Sequence, residues 1–123
     1  MKRLKSLQLT WEKLALERLK LLRQWKRYVV YIVEAVKKLN PNAHIYLIGS
    51  IAEGTYTALS DVDLLVVLPG KLDNHSLLET SIRIWEEAFK LGLPWNYPIN
   101  LIVVDEERAQ RFLKTARKTI QLL

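Results

Sequence analysis

The segment of this chain whose residue types and spacing could do chemistry is Gly49-Ser50, then ten residues, then Asp61-Val62-Asp63. If Asp61 to Leu68 is a strand, its side chains alternate, and the two carboxylates share one face. Two acids side by side want a cation, and carboxylate oxygens suit a hard divalent ion such as magnesium. The Gly-Ser turn offers the complement, because its backbone N–H groups and the Ser50 hydroxyl can hold phosphate oxygens. Two metal ions about 3.5–4 Å apart could then clamp the attacking and leaving oxygens of a phosphoryl transfer. Each piece alone reads as a turn or a strand end, but their joint spacing favours the chemistry.

The elements around these residues decide whether they can meet. His44 to Ile48 reads as a first strand, and the unbroken apolar run Leu64 to Leu68 implies a second strand buried on both faces. The connection Gly49 to Ser60 is barely long enough for a parallel crossover, so the two strands should be antiparallel neighbours. The Gly-Ser turn ending the first strand then lies beside the acids opening the second. Ser76-Leu77-Leu78-Glu79 has capping-box spacing, and Leu78, Ile82, Trp85 and Phe89 then repeat on one face of a helix that Gly92 ends.

Ile99 to Val104 reads as a third strand, and a right-handed crossover makes it parallel to the second. Asn100 is therefore expected near Asp61 and Asp63. Asp105 lies five residues further, about 17 Å along the strand and with opposite parity, and reads as the N-cap of a C-terminal helix. A slip in register would instead bring Asp105 or Glu53 toward the site. Lys118 to Leu123 stays open between helix and strand. The expected architecture is α/β, a small mixed sheet flanked by helices, as a single domain over 1–123 with a long helix over 1–39, a core over 43–105 and a C-terminal helix and tail over 106–123.

Charge is concentrated at the front of the chain. Of 19 Lys and Arg, 11 fall between Met1 and Leu39 beside only Glu12, Glu17 and Glu34, so that segment is +8 while the whole chain is +6. Leu7, Leu14, Leu21, Tyr28 and Ala35 repeat every seven residues. Leu4, Trp11, Trp25, Ile32 and Leu39 form a partner row that Arg18 interrupts. One long basic amphipathic helix is implied, stopped by Asn40-Pro41. Its stripe packs on its own domain or pairs with a partner, a second copy included, and its cations Lys20, Arg23, Lys26 and Arg27 could meet nucleic acid phosphates. The nucleic-acid reading is the less favoured.

Composition excludes several classes. With 50% hydrophobic residues, 26% charged and four each of Gly and Pro, the chain is neither disordered nor collagen-like. Without cysteine there is no disulfide framework or thiol nucleophile, and His44 and His75 lack the spacing of a zinc site. No apolar run approaches the ~20 residues of a membrane span, and Lys13, Glu17 and Arg18 break up any leader-like stretch, so the expected location is cytoplasmic. Tyr56, Trp95 and Tyr97 could stack on a base, though such aromatics more often close a core.

Gly49-Ser50, Gly54, Ser60-Asp61 and Asp63-Leu64-Leu65-Val66 together resemble the nucleotidyltransferase superfamily of DNA polymerase beta, in particular its minimal stand-alone prokaryotic members. The resemblance spans about His44 to Asp105. It implies magnesium-dependent transfer of a nucleoside monophosphate from a nucleoside triphosphate, with Asp61 and Asp63 as metal ligands. Gly49 and Ser50 would hold the triphosphate, and Gly54 and Ser60 would belong to the nucleotide side of the loop. Such enzymes carry a third carboxylate on a neighbouring strand, where this chain has Asn100, which supplies neither charge nor a general base. Minimal members also work beside a helical HEPN-type partner as an antitoxin pair. Two readings follow: an enzyme with an unknown hydroxyl acceptor, and a catalytically lapsed nucleotide- or partner-binding module.

Overall fold

The computed structural model describes residues 2–123. Met1, and the side chain of Leu4 in the second apolar row, lie outside the described residues. The elements are α1 (Lys2–Arg23), α2 (Trp25–Leu39), β1 (His44–Ile48), α3 (Gly49–Glu53), β2 (Val62–Leu68), α4 (Asn74–Leu91), β3 (Ile99–Asp105), α5 (Glu106–Thr115) and β4 (Ile120–Gln121). They build a four-stranded sheet in the order β3-β2-β1-β4. β1 runs antiparallel to β2 and β2 parallel to β3, as expected. β4, unassigned in the sequence, adds an antiparallel edge to β1.

β2 is the central strand, and its alternation separates two cores. Val62, Leu64 and Val66 pack with Ile45, Leu47, Ile32, Val36, Ile84 and Ala88, the face covered by α2 and α4. Leu65 and Val67 point the other way, to Ile48, Val104 and Ala109 under α5. Burial on both sides explains why β2 reads as an unbroken apolar run.

The expected single helix from Met1 to Leu39 is two helices. Gln24 breaks it, adopting φ −93° and ψ 21°. The cause lies far along the chain. Tyr97, stacked on Tyr28 at 4.0 Å between ring centroids, donates its hydroxyl to the Leu21 carbonyl at 2.8 Å. In a continuous helix that carbonyl would accept from the Trp25 N–H. Here the Gln24 N–H turns to it instead at 3.1 Å, in a tighter turn. The seven-residue rows are correspondingly split. In α2, Val29, Ile32, Ala35 and Val36 are buried in the domain. In α1, Leu7, Trp11 and Leu14 are 65, 57 and 55% exposed. α2 ends in extended backbone at Asn40, before Pro41.

α4 also differs from expectation. Its N-cap is Asp73, whose carboxylate accepts from the Ser76 N–H at 2.7 Å, so Ser76 lies inside the first turn. The helix starts earlier and buries Leu77, Ile84 and Ala88. The row Leu78, Ile82, Trp85 and Phe89 lies toward the outside, with Leu78, Ile82 and Phe89 exposed and Trp85 half-buried. Strand ends move by one residue, since β2 opens at Val62 rather than Asp61 and β3 runs through Asp105.

Asp105 caps α5, as its position suggested. Its Oδ1 accepts from the Arg108 N–H at 3.0 Å and its Oδ2 from the Leu72 N–H at 3.1 Å, with the side chain 2% exposed. Arg108 completes the knot, bonding Asp105 Oδ2 at 2.9 Å, the Leu72 carbonyl at 3.0 Å and Asn74 Oδ1 at 3.1 Å. The backbone N–H groups of Arg108 and Leu72 hold the Asp105 carboxyl below its ordinary 3.8. A lowered folded pKa means stability that is present above that value and lost as pH falls through it. Asp105→Asn should therefore melt well below the parent at neutral pH, and the gap should close as the pH drops beneath about 4. Melting curves of both proteins from pH 7 to 2.5 check this.

Candidate functional site

The site forms where β1 ends and β2 begins. The register pairs Ile48 with Asp63, so the chain leaving β1 turns at Gly49-Ser50 directly beside the first acid of β2. Gly49 adopts φ +74°, a left-handed conformation that L side chains rarely occupy. A Cβ there would collide with Asp63 Oδ2 and lie 3.2 Å from its Cγ. The backbone and the carboxylate thus approach more closely than any residue but glycine allows. Gly49 and Ser50 are also the first residues of α3, which Gly54 closes, while the Thr55 N–H bonds the Ser50 carbonyl at 3.0 Å.

On the other side of β2, Asp63 pairs with Asn100 of β3. Asn100 Nδ2 donates to Asp63 Oδ1 at 3.2 Å. Burial raises the Asp63 pKa, the Asn100 hydrogen bond opposes that rise, and the charge of Asp61 adds to it. A carboxylate pushed upward by desolvation and a like charge is one that a bound cation would relieve. Two carboxylates and an amide oxygen are ligands of the kind magnesium takes, so the chemistry of these residues fits that ion. Among the described residues no group of three His, Cys, Asp or Glu side chains could hold a metal.

Asp61 lies just before β2. It is engaged by a residue that the sequence reading passed over as an irregularity: Arg18 Nη2 of α1 donates to Asp61 Oδ1 at 2.9 Å and to the Ser60 carbonyl at 3.1 Å. The available signal was a lone cation in an apolar row, which calls for a nearby anion. Ser60 turns its Oγ inward to accept from the Thr57 N–H at 2.9 Å, closing the turn that presents Asp61.

Other residues considered for the site lie elsewhere. Asp105 pairs with Leu68 at the far end of the sheet and is fully engaged in its cap. Glu53 is the last residue of α3. Tyr97 belongs to the core, where burial pushes its hydroxyl up to about 12. Tyr56 packs against the core edge, whereas Trp95 is 85% exposed. His44 opens β1, and His75 lies on α4 with Nε2 3.9 Å from Glu79.

The model of the family described as Nucleotidyltransferase domain matches residues 29–122, and the chain belongs to that family. Among solved structures, a candidate nucleotidyltransferase from Sulfolobus solfataricus is 25% identical, with TM-score 0.56 over 88% of this chain and 85% of that one. A second candidate nucleotidyltransferase, 23% identical, shares the fold at TM-score 0.54 over 75% of this chain and 94% of that one. A toxin-antitoxin structure determined with AMP-PNP aligns more loosely, 26% identical at TM-score 0.47 over 76% of this chain and 70% of that one. No curated protein matches the sequence.

Proposed function

We propose that the protein transfers a nucleoside monophosphate from a nucleoside triphosphate to a hydroxyl acceptor at the turn between β1 and β2. The observation that carries this reading is the close approach of the Gly49 backbone to the Asp63 carboxylate, which would put the N–H groups of a phosphate-holding turn beside oxygens able to hold a cation. Asp61 and Asp63 would hold magnesium, which when bound supplies positive charge to the phosphates and the developing negative charge of the transition state. Gly49 and Ser50 orient the triphosphate, and Gly54 and Ser60 fix the ends of the loop between turn and acids. The acceptor oxygen forms a bond to the α-phosphorus, the bond to the bridging oxygen breaks, and pyrophosphate leaves. Asn100 cannot take the acceptor's proton, which must pass to water.

A second reading is favoured by a specific observation: Asn100 stands beside Asp63 where a third acid would complete the pair, and its N–H is already given to that carboxylate. On this reading the protein keeps nucleotide or partner affinity without turnover, as an antitoxin-like subunit with a helical HEPN-type partner. The exposed α1 stripe supports a protein partner or a second copy, and the basic residues Lys20, Arg23, Lys26 and Arg27 keep nucleic acid as a lesser candidate. Among the described residues no helix is long and apolar enough to cross a membrane, and a cytoplasmic location goes with this proposal.

Asn100→Asp separates the two readings. Restoring a carboxylate beside Asp63 adds charge for metal and a proton acceptor, effects worth about 10²–10⁴-fold in rate where general-base help is missing. Pyrophosphate release from each nucleoside triphosphate is the measurement. A parent without turnover and a variant with it identifies a lapsed enzyme. Turnover in the parent that the variant does not increase identifies an enzyme that works with Asn100.

A further inference from the structure

The contact between Arg18 and Asp61 lies outside everything the transfer reaction requires. α1 is held to the domain mainly by its last turns: Leu22 is fully buried and the Leu21 carbonyl accepts from Tyr97. Earlier in the helix Leu7, Leu9, Trp11, Leu14 and Leu16 are all more than half exposed. Arg18 stands at the border, its guanidinium bridging the Ser60 carbonyl and Asp61 Oδ1. Beside it Trp11, Leu14 and Ala15 of α1 and Ala58 and Leu59 of the loop line a small cleft of about 80 Å³. Arg18 therefore joins the outlying part of α1 to the loop that presents the acids.

A divalent ion on the Asp61 carboxylate would repel the guanidinium that Arg18 holds against its Oδ1, so the two cations compete for one negative charge. We infer that Arg18 is a tethered cation that holds α1 on Asp61 when the carboxylate pair carries no metal and is displaced when a divalent ion binds. Metal loading then releases the outlying part of α1 from the loop, and docking of α1 weakens metal binding by the same factor, because coupling between two binding events is reciprocal. Arg18 is thus a positioning residue that sets how readily the site is loaded and links that loading to the surface α1 can offer. The inference rests on Asp61 and Asp63 being the metal ligands.

The test uses the full chain and magnesium alone. Calorimetric titration should show Arg18→Gln binding magnesium about two- to fivefold more tightly than the parent, the range expected for loss of a partly exposed ion pair. Arg18→Lys, which keeps the charge, should stay near the parent. Hydrogen exchange supplies a second readout: in the parent, magnesium should speed exchange over residues 10–18, whereas in Arg18→Gln exchange there should already be fast and indifferent to the ion. Asp61→Asn should abolish the magnesium effect on exchange. Equal or weaker magnesium binding by Arg18→Gln, with the parent binding normally, overturns the tether and leaves the metal site standing. Absence of binding in both proteins overturns the metal site and the tether together, while binding by the variant alone is the tether in its strongest form.

Discussion

Replacing Asp63 with asparagine is expected to abolish magnesium-dependent nucleotide binding while raising the melting temperature of the metal-free protein. The two effects share one cause. Burial lifts the Asp63 pKa above its ordinary 3.8, and the Asp61 charge adds to the rise despite the Asn100 hydrogen bond. A carboxyl with a raised folded pKa gives stability at low pH that is lost as the pH rises from the unfolded to the folded value. At neutral pH the ionised side chain thus weakens the fold, and a neutral amide of nearly the same shape removes the penalty. The functional loss should exceed the ~10–100-fold seen when a group that only orients a metal ligand is lost. Differential scanning calorimetry of the metal-free protein and of the protein with magnesium and a nucleoside triphosphate measures both, and the parent alone should be stabilised by the ligands. A metal-free variant that melts lower than the parent would show that Asp63 supports the fold rather than straining it.

The second large effect is at Gly49. Gly49→Ala meets two costs: a Cβ in the left-handed region, about 1–2 kcal/mol, and a collision with Asp63 Oδ2. Gly54 provides the control, since its φ is +75° but a Cβ there meets nothing within 4 Å. Gly54→Ala should therefore lose only the conformational part. The difference between the two variants in chemical denaturation isolates the collision, and nucleotide affinity should fall sharply only in Gly49→Ala. Equal destabilisation of both would mean that the turn does not press on the carboxylate.

The sheet and the pairing of its site residues were legible because local rules acted in concert. A ten-residue gap set β1 and β2 antiparallel, crossover handedness set β2 and β3 parallel, and from these followed Asn100 beside Asp63 and Asp105 at the far end as a cap. The failures were tertiary in origin. Nothing near Gln24 breaks a helix; the break comes from Tyr97 bonding the Leu21 carbonyl from a distant loop. In α4, Leu77, Ile84 and Ala88 make as good an inward stripe as Leu78, Ile82, Trp85 and Phe89, and packing against α2 decides between them. The engagement of Asp61 by Arg18 depends on where α1 lies after Gln24, which no spacing in the sequence encodes.

On the proposed function, the turn at Gly49-Ser50 and the acids Asp61 and Asp63 form one metal-dependent nucleotide site. Isothermal titration of the parent with magnesium and each nucleoside triphosphate, beside an Asp61→Asn, Asp63→Asn double variant, tests it without needing an acceptor. The expected result is saturable binding of at least one triphosphate to the parent that requires the metal and is missing from the double variant. Binding of equal strength in both proteins, or none in the parent with magnesium or manganese, would contradict it.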